Sequence, residues 1–100
     1  MKRKLRYHAL AQQDFIATAA SSQKLWGARQ TRRYLDHIEA QIERIVQNPM
    51  LGSDADLPRP GLRKIVAGRH TIFYLTDEGG VLIVRILHQQ QDQLGRLGLG

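Results

Sequence analysis

From residue 63 the chain reads Arg63-Lys64-Ile65-Val66-Ala67, then Gly68-Arg69, then His70-Thr71-Ile72-Phe73-Tyr74-Leu75-Thr76. Asp77-Glu78-Gly79-Gly80 follows, and then Val81-Leu82-Ile83-Val84-Arg85-Ile86-Leu87-His88. Three β-branched and aromatic runs separated by turn residues read as three strands. Gly68-Arg69 closes a first hairpin and Asp77 to Gly80 a second, which makes an antiparallel meander. Unbroken alternation sorts its faces. Val66, Phe73, Leu75, Leu82, Val84 and Ile86 are expected on one apolar face. Arg63, Ile65, His70, Ile72, Tyr74, Ile83, Arg85 and Leu87 are expected on the other, partly open face. A one-residue slip or bulge reverses part of this assignment.

Working outward, Met50 to Leu62 holds Gly52, Ser53, Asp54, Asp56, Pro58, Pro60 and Gly61, and reads as a loop. Before it the apolar period changes from two to three and four. Thr31, Leu35, Ile38, Ile42 and Ile45 form one stripe, so a helix runs from about Ala28 to Gln47. Asn48-Pro49 stops it, because proline disfavours helical geometry in the preceding residue. Residues 9–20 are alanine-rich and helical by propensity, since small side chains lose little entropy on ordering. Ser21 and Ser22 weaken that helix, and Trp26-Gly27 reads as a break. A short break predicts an antiparallel helix pair. Lys4 to Tyr7 reads as a short first strand. The expected fold is α+β: an N-terminal strand, an antiparallel helix hairpin, and a three-stranded antiparallel meander packed on the helices. Leu35, Ile38 and Ile42 are expected to meet the sheet through Phe73 and Val84. A short C-terminal tail or helix closes the chain.

The 100 residues are read as a single domain over 1–100. At this length roughly two thirds of the unfolded chain's surface is buried on folding. With 42% hydrophobic and 24% charged residues, wholesale disorder is not indicated. The absence of cysteine excludes disulfides, thiolate metal sites and a cysteine nucleophile, and is compatible with a reducing cytoplasm. Val81 to Val84 is the longest purely apolar run, too short to span a membrane. The basic start at Met1-Lys2-Arg3-Lys4 is followed by no signal core. Net charge is +6, which favours an acidic partner.

A longer series of residues carries a resemblance. Trp26-Gly27, Tyr34-Leu35, Asn48-Pro49, Leu51-Gly52, Arg59-Pro60-Gly61-Leu62-Arg63 and His70-Thr71-Ile72-Phe73-Tyr74 follow in order. Val84-Arg85-Ile86-Leu87-His88 and Asp92 close the series. From about Leu5 to Leu97 the chain resembles the ParE branch of the RelE/ParE toxin superfamily. That resemblance implies the toxin half of a bacterial type II toxin–antitoxin pair, which inhibits DNA gyrase and is neutralised by a ParD-like antitoxin. Operator DNA would be contacted only through the antitoxin. RelE-type relatives instead cut messenger RNA on the ribosome, and one fold serves both.

Arg63, Tyr74 and Arg85 are the expected antitoxin contacts, arginine being suited to carboxylates. In the nuclease alternative Arg63 and Arg85 would hold phosphate and His88 would exchange protons. Such enzymes tend to carry lysines in the loop before the sheet and a tyrosine near the C-terminus. Here the loop is acidic, and Gln89-Gln90-Gln91 follows His88. No catalytic residue is therefore assigned. Leu94, Leu97 and Leu99 are the expected target contacts. His8, His37, His70 and His88 show no metal-ligand spacing, and no metal or cofactor is expected. No aromatic platform interleaves the basic residues along the sequence.

Overall fold

The computed structural model describes residues 4–55, 60–90 and 96–97. Strand β1 (Lys4–Tyr7) is followed by helix α1 (Ala9–Gln47), β2 (Ser53–Asp54), β3 (Arg63–Ala67), β4 (His70–Asp77) and β5 (Gly80–His88). The strands form one sheet in the order β1-β5-β4-β3-β2. The fold is α+β, as expected; the sheet gains one strand, and the structure supplies the first strand's partner. The sheet has five strands, because Ser53–Asp54 in the loop pairs with Arg63 and Lys64. The first strand lies parallel to β5, with Lys4 opposite Gly80.

The two predicted helices run on as one helical element, interrupted at Gly27, where the break was expected. Ser21 and Ser22 stay helical. A straight helix of 39 residues would run ~58 Å, whereas the longest dimension of the protein is 39 Å. The element must therefore turn back on itself. Gly27 does this at φ 80 and ψ 177, a backbone that a residue with a Cβ rarely adopts. His8 caps the helix: its Nδ1 accepts the Leu10 N–H at 3.1 Å. At the other end the Asn48 N–H reaches the Arg44 carbonyl just before Pro49.

The two hairpins close where expected, with Ala67 opposite His70 and Asp77 opposite Gly80. The faces, however, are reversed for Ile65, Ile72, Phe73, Tyr74, Leu75, Ile83 and Val84, while Ile86 and Leu87 lie where expected. Helix α1 packs on Ile65, Ala67, Ile72, Tyr74, Val81, Ile83 and Ile86 through Ala11, Ile38, Ile42 and Ile45. Phe73, Leu87, Leu75 and Val84 form a second cluster with Leu62, Ala55 and Leu97. Leu35, Ile38 and Ile42 are buried as predicted, but in the core that holds Tyr74 and Ile83 rather than the Phe73–Val84 cluster. Both faces are apolar, so hydropathy offered little contrast between them. The polar groups that marked one face as open, Arg63, His70 and Arg85, all find partners within the protein. A bulge beside Phe73 and Tyr74 leaves Val84 without a Cα partner on β4 and puts Ile83 and Ile86 on one face.

Ile38 is fully buried at the centre of this core. Ile38→Ala is expected to lower unfolding free energy by about 2–5 kcal/mol. Urea melts measure it, and a loss well under 1 kcal/mol would mean the core does not close there.

Candidate functional site

Two residues far apart on α1 meet the same imidazole. Thr18, before the break, places Oγ1 3.3 Å from His70 Nε2. Tyr34, after it, places its hydroxyl 2.5 Å from His70 Nδ1. The fold-back at Gly27 is what makes this possible. The network fixes the proton positions. Thr18 Oγ1 donates to the Asp14 carbonyl at 2.8 Å, so it accepts from His70 Nε2–H. The Tyr34 hydroxyl accepts the Arg69 N–H at 2.9 Å; with the Ala67 carbonyl a distant 3.5 Å away, its own proton goes to His70 Nδ1. His70 is thus neutral. Burial is the main reason its pKa falls from 6.5 to about 4; nearby His88 adds to the fall and Asp14 opposes it. Burial also pushes the Tyr34 pKa up, against Arg69.

The same region forms a cleft of about 310 Å³. Trp26, Tyr34, Arg69, His70 and His88 line it, with Ser21 and Ser22 on the first arm. Trp26 meets Tyr34 edge-on at 6.1 Å between ring centroids. The Arg69 guanidinium lies 6.0 Å from the Trp26 ring centre. His88 stands edge-on to His70 at 5.2 Å. Gly68 lets this corner close, since it has φ 63 and a Cβ there would meet the Tyr34 ring at 2.6 Å.

The predicted residues are not one site. Arg63 pairs with Tyr74 and Arg85 with Phe73, so they stand on opposite faces of the sheet. Arg63 donates to the Met50 carbonyl at 3.1 Å and to the Gly52 carbonyl. Arg85 grips Asp14 with two bonds, at 2.7 and 2.8 Å, and donates to the Arg96 carbonyl at 2.5 Å. The pair is nearly buried, with side-chain exposures of 12% and 14%. Tyr74 is fully buried; its hydroxyl donates to the Pro49 carbonyl and accepts the Gly52 N–H. Tyr74, expected as an antitoxin contact, thus fastens the 49–52 loop from within the core. His88 lies in the helix-side cleft, which Asp14 also lines but neither arginine does. Leu97 packs on the Leu62, Phe73 and Leu87 cluster. Leu94 and Leu99 lie outside the described residues.

Sequence reasoning missed the cleft. Thr18, Tyr34, His70 and His88 are scattered along the chain, and Trp26 read as a helix corner. One signal existed in principle, the pairing of His70 with His88 across the second hairpin. Counting from the turn without the bulge sets His70 one residue out of step and hides it.

Comparisons with known proteins bear on this architecture. Residues 5–93 match the family described as "ParE toxin of type II toxin-antitoxin system, parDE". Toxin ParE1 of Mycobacterium tuberculosis is 46% identical over 68 residues, covering 67% of this chain and 69% of that protein. Toxin ParE1 of Caulobacter vibrioides is 34% identical over 77% of this chain and 79% of its own length. Toxin ParE of Escherichia coli is 32% identical over 89% of this chain and 87% of its own. A solved structure titled "Chromosomal ParDE TA system from P. aeruginosa" has a similar fold, with a TM-score of 0.75 at 18% identity. That likeness covers 87% of this chain and 96% of the other.

The neutral His70 makes stability depend on pH with a definite sign. Its folded pKa, about 4, lies below the unfolded 6.5. The unfolded chain therefore binds the extra proton between these values. The His70 contribution is complete above pH 6.5 and is lost as pH falls toward 4, by on the order of 3 kcal/mol. His70→Gln is expected to flatten that part of the profile in urea melts taken from pH 7.5 to 4. An unchanged slope would place the titrating group elsewhere.

Proposed function

Because the chain belongs to the ParE toxin family of type II toxin–antitoxin systems, we propose that it inhibits DNA gyrase without catalysing a reaction itself. It would bind the enzyme and hold it on cleaved DNA. A ParD-like antitoxin neutralises it, and operator DNA is reached only through that antitoxin. The proposed compartment is the cytoplasm, where gyrase works. Among the described residues, no helix is long and apolar enough to cross a membrane.

The observation that carries this reading over the nuclease alternative is the placement of Arg63 and Arg85. A phosphate-cutting centre needs cations and proton donors converging on one reacting group. Here the two guanidiniums stand on opposite faces, bound to backbone carbonyls and to Asp14. His88 lines a cleft that neither guanidinium lines, and the nearest link to it is Asp14, already bound by Arg85. An inhibitor that works by binding needs no such convergence.

The same placement narrows the proposal for antitoxin recognition. Arg63 holds the 49–52 loop and Arg85 holds the first helix arm, so they support an antitoxin surface from beneath. Removing Arg85 leaves the nearly buried Asp14 carboxylate without its cation, at a cost of about 3 kcal/mol. Joint replacement of Arg63 and Arg85 by alanine is expected to lower melting temperature and antitoxin affinity together. Lost affinity with unchanged melting would point to direct contact instead.

Purified protein is expected to slow supercoiling by gyrase and to accumulate linear plasmid. Messenger RNA in a translating extract should stay intact. Codon-positioned cleavage of that RNA, with gyrase unaffected, would reject the proposal in favour of the nuclease.

A further inference from the structure

The Trp26–Tyr34–Arg69 corner carries more chemistry than holding the helix arms together requires. Tyr34 and His70 satisfy each other and the neighbouring backbone. The Arg69 side chain does not share in that closure. Among the described residues it forms no ion pair, and its guanidinium lies against Trp26. Asp14, the one carboxylate lining the cleft, is already held by Arg85 and by the Ile86 N–H. Neutral His70 adds no charge. The cleft is therefore positive, with a cation that lacks an anion among the described residues.

Its position is also fixed. The Arg69 N–H is bound by Tyr34, and its carbonyl accepts the Gln89 N–H at 2.9 Å. A cation on such a clamped turn loses little freedom on meeting a ligand. Beside it are two aromatic rings set edge to face, with Trp26 44% exposed. Ser21 and Ser22 add hydroxyls. The volume, about 310 Å³, sits at the lower end of the range for small-ligand sites.

These features select among ligands. A bare carboxylate would meet Arg69 and leave the rings in water. An uncharged flat ring would cover Trp26 and leave Arg69 without an anion. A ligand that joins a flat ring to a phosphate uses both parts. We propose that this cleft binds a nucleoside monophosphate group, its base against Trp26 and Tyr34 and its phosphate at Arg69. Such a group could be free or stand at the end of a strand. This site is independent of the gyrase reading and shares none of its proposed contacts.

Trp26 is the chain's single tryptophan, so its fluorescence reports on the cleft directly. The full-length protein is titrated with adenosine 5′-monophosphate, adenosine and inorganic phosphate. The monophosphate is expected to change the emission saturably, and at least tenfold more tightly than either part alone. Arg69→Ala is expected to weaken the monophosphate tenfold or more while circular dichroism stays unchanged. A 5′-phosphorylated tetranucleotide separates the sources: tighter binding than the monophosphate assigns the site to a strand end, weaker binding to a free nucleotide. The proposal is overturned if no saturable change occurs below millimolar monophosphate. It is equally overturned if adenosine binds wild-type protein as tightly as its monophosphate, a comparison that needs no variant.

Discussion

The carboxylate of Asp14 joins the two halves of the molecule. Strand β1 runs beside β5 only as far as Tyr7 and Ile83. Beyond that point the edge of β5 would expose backbone donors. Asp14 Oδ2 takes the Ile86 N–H at 2.9 Å, so a side chain of α1 continues the pairing that β1 ends. Both oxygens also bind Arg85, which is itself on β5. A charge-assisted, two-pronged contact is among the stronger polar interactions available. It sets the first helix arm against the sheet together with the half-buried Phe15, which packs on the core. The buried residues of that arm before the break are Ala11, Thr18 and Ser22, all small, whereas the second arm buries Leu35, Ile38, Ile42 and Ile45.

Two tyrosines make matching closures at the other ends of the sheet. Tyr34 binds the turn between β3 and β4 through Arg69 and reaches His70. Tyr74 binds both Pro49 and Gly52, pinning the chain as it leaves the helix. Each phenol buries a ring and satisfies its hydroxyl, which is the condition for placing tyrosine in a core. The loop between helix and sheet is therefore held by a buried hydroxyl from below and by Arg63 alongside. Asp77 does similar work at the far turn, accepting from Gly79 and Gly80 and pairing with Arg6 on β1.

How much of this was legible depended on contrast. The stripe from Thr31 to Ile45 stood out because polar residues surround it, and the structure buries all five of its members. Both hairpin turns were readable because Gly68 and Asp77-Glu78-Gly79-Gly80 leave few other solutions. The faces of the meander were not, since Phe73, Leu75 and Val84 are as apolar as Ile72, Tyr74 and Ile83. Only a bulge and the tertiary partners of His70 and Tyr74 decide between them. Arg63 and Arg85 were legible as important and misread as neighbours. The register of one strand placed them together, and the observed register puts a sheet between them. The cleft was illegible because its members come from both arms of α1 and from β4 and β5, and they meet only when Gly27 turns the chain.

The arrangement of charge follows from the same closures. Arg85 is neutralised by Asp14, Arg6 by Asp77, and Arg32 by Asp36 and Glu39. Lys24, Arg29, Arg33 and Arg69 form no ion pair among the described residues. Lys24 and Arg29 flank the break at Gly27, Arg33 adjoins Tyr34, and Arg69 touches Trp26. Lys4, Arg44, Arg63, Lys64 and Arg96 likewise form no ion pair among the described residues, so cations are spread over the molecule, and four of them gather at the fold-back corner. The four at the corner favour an approaching anion there. What it meets there is the rigid, aromatic corner built by Trp26 and Tyr34. Steering and recognition are therefore joined at one place. The cause is a glycine that let a helix double back, not any run of basic residues in the sequence.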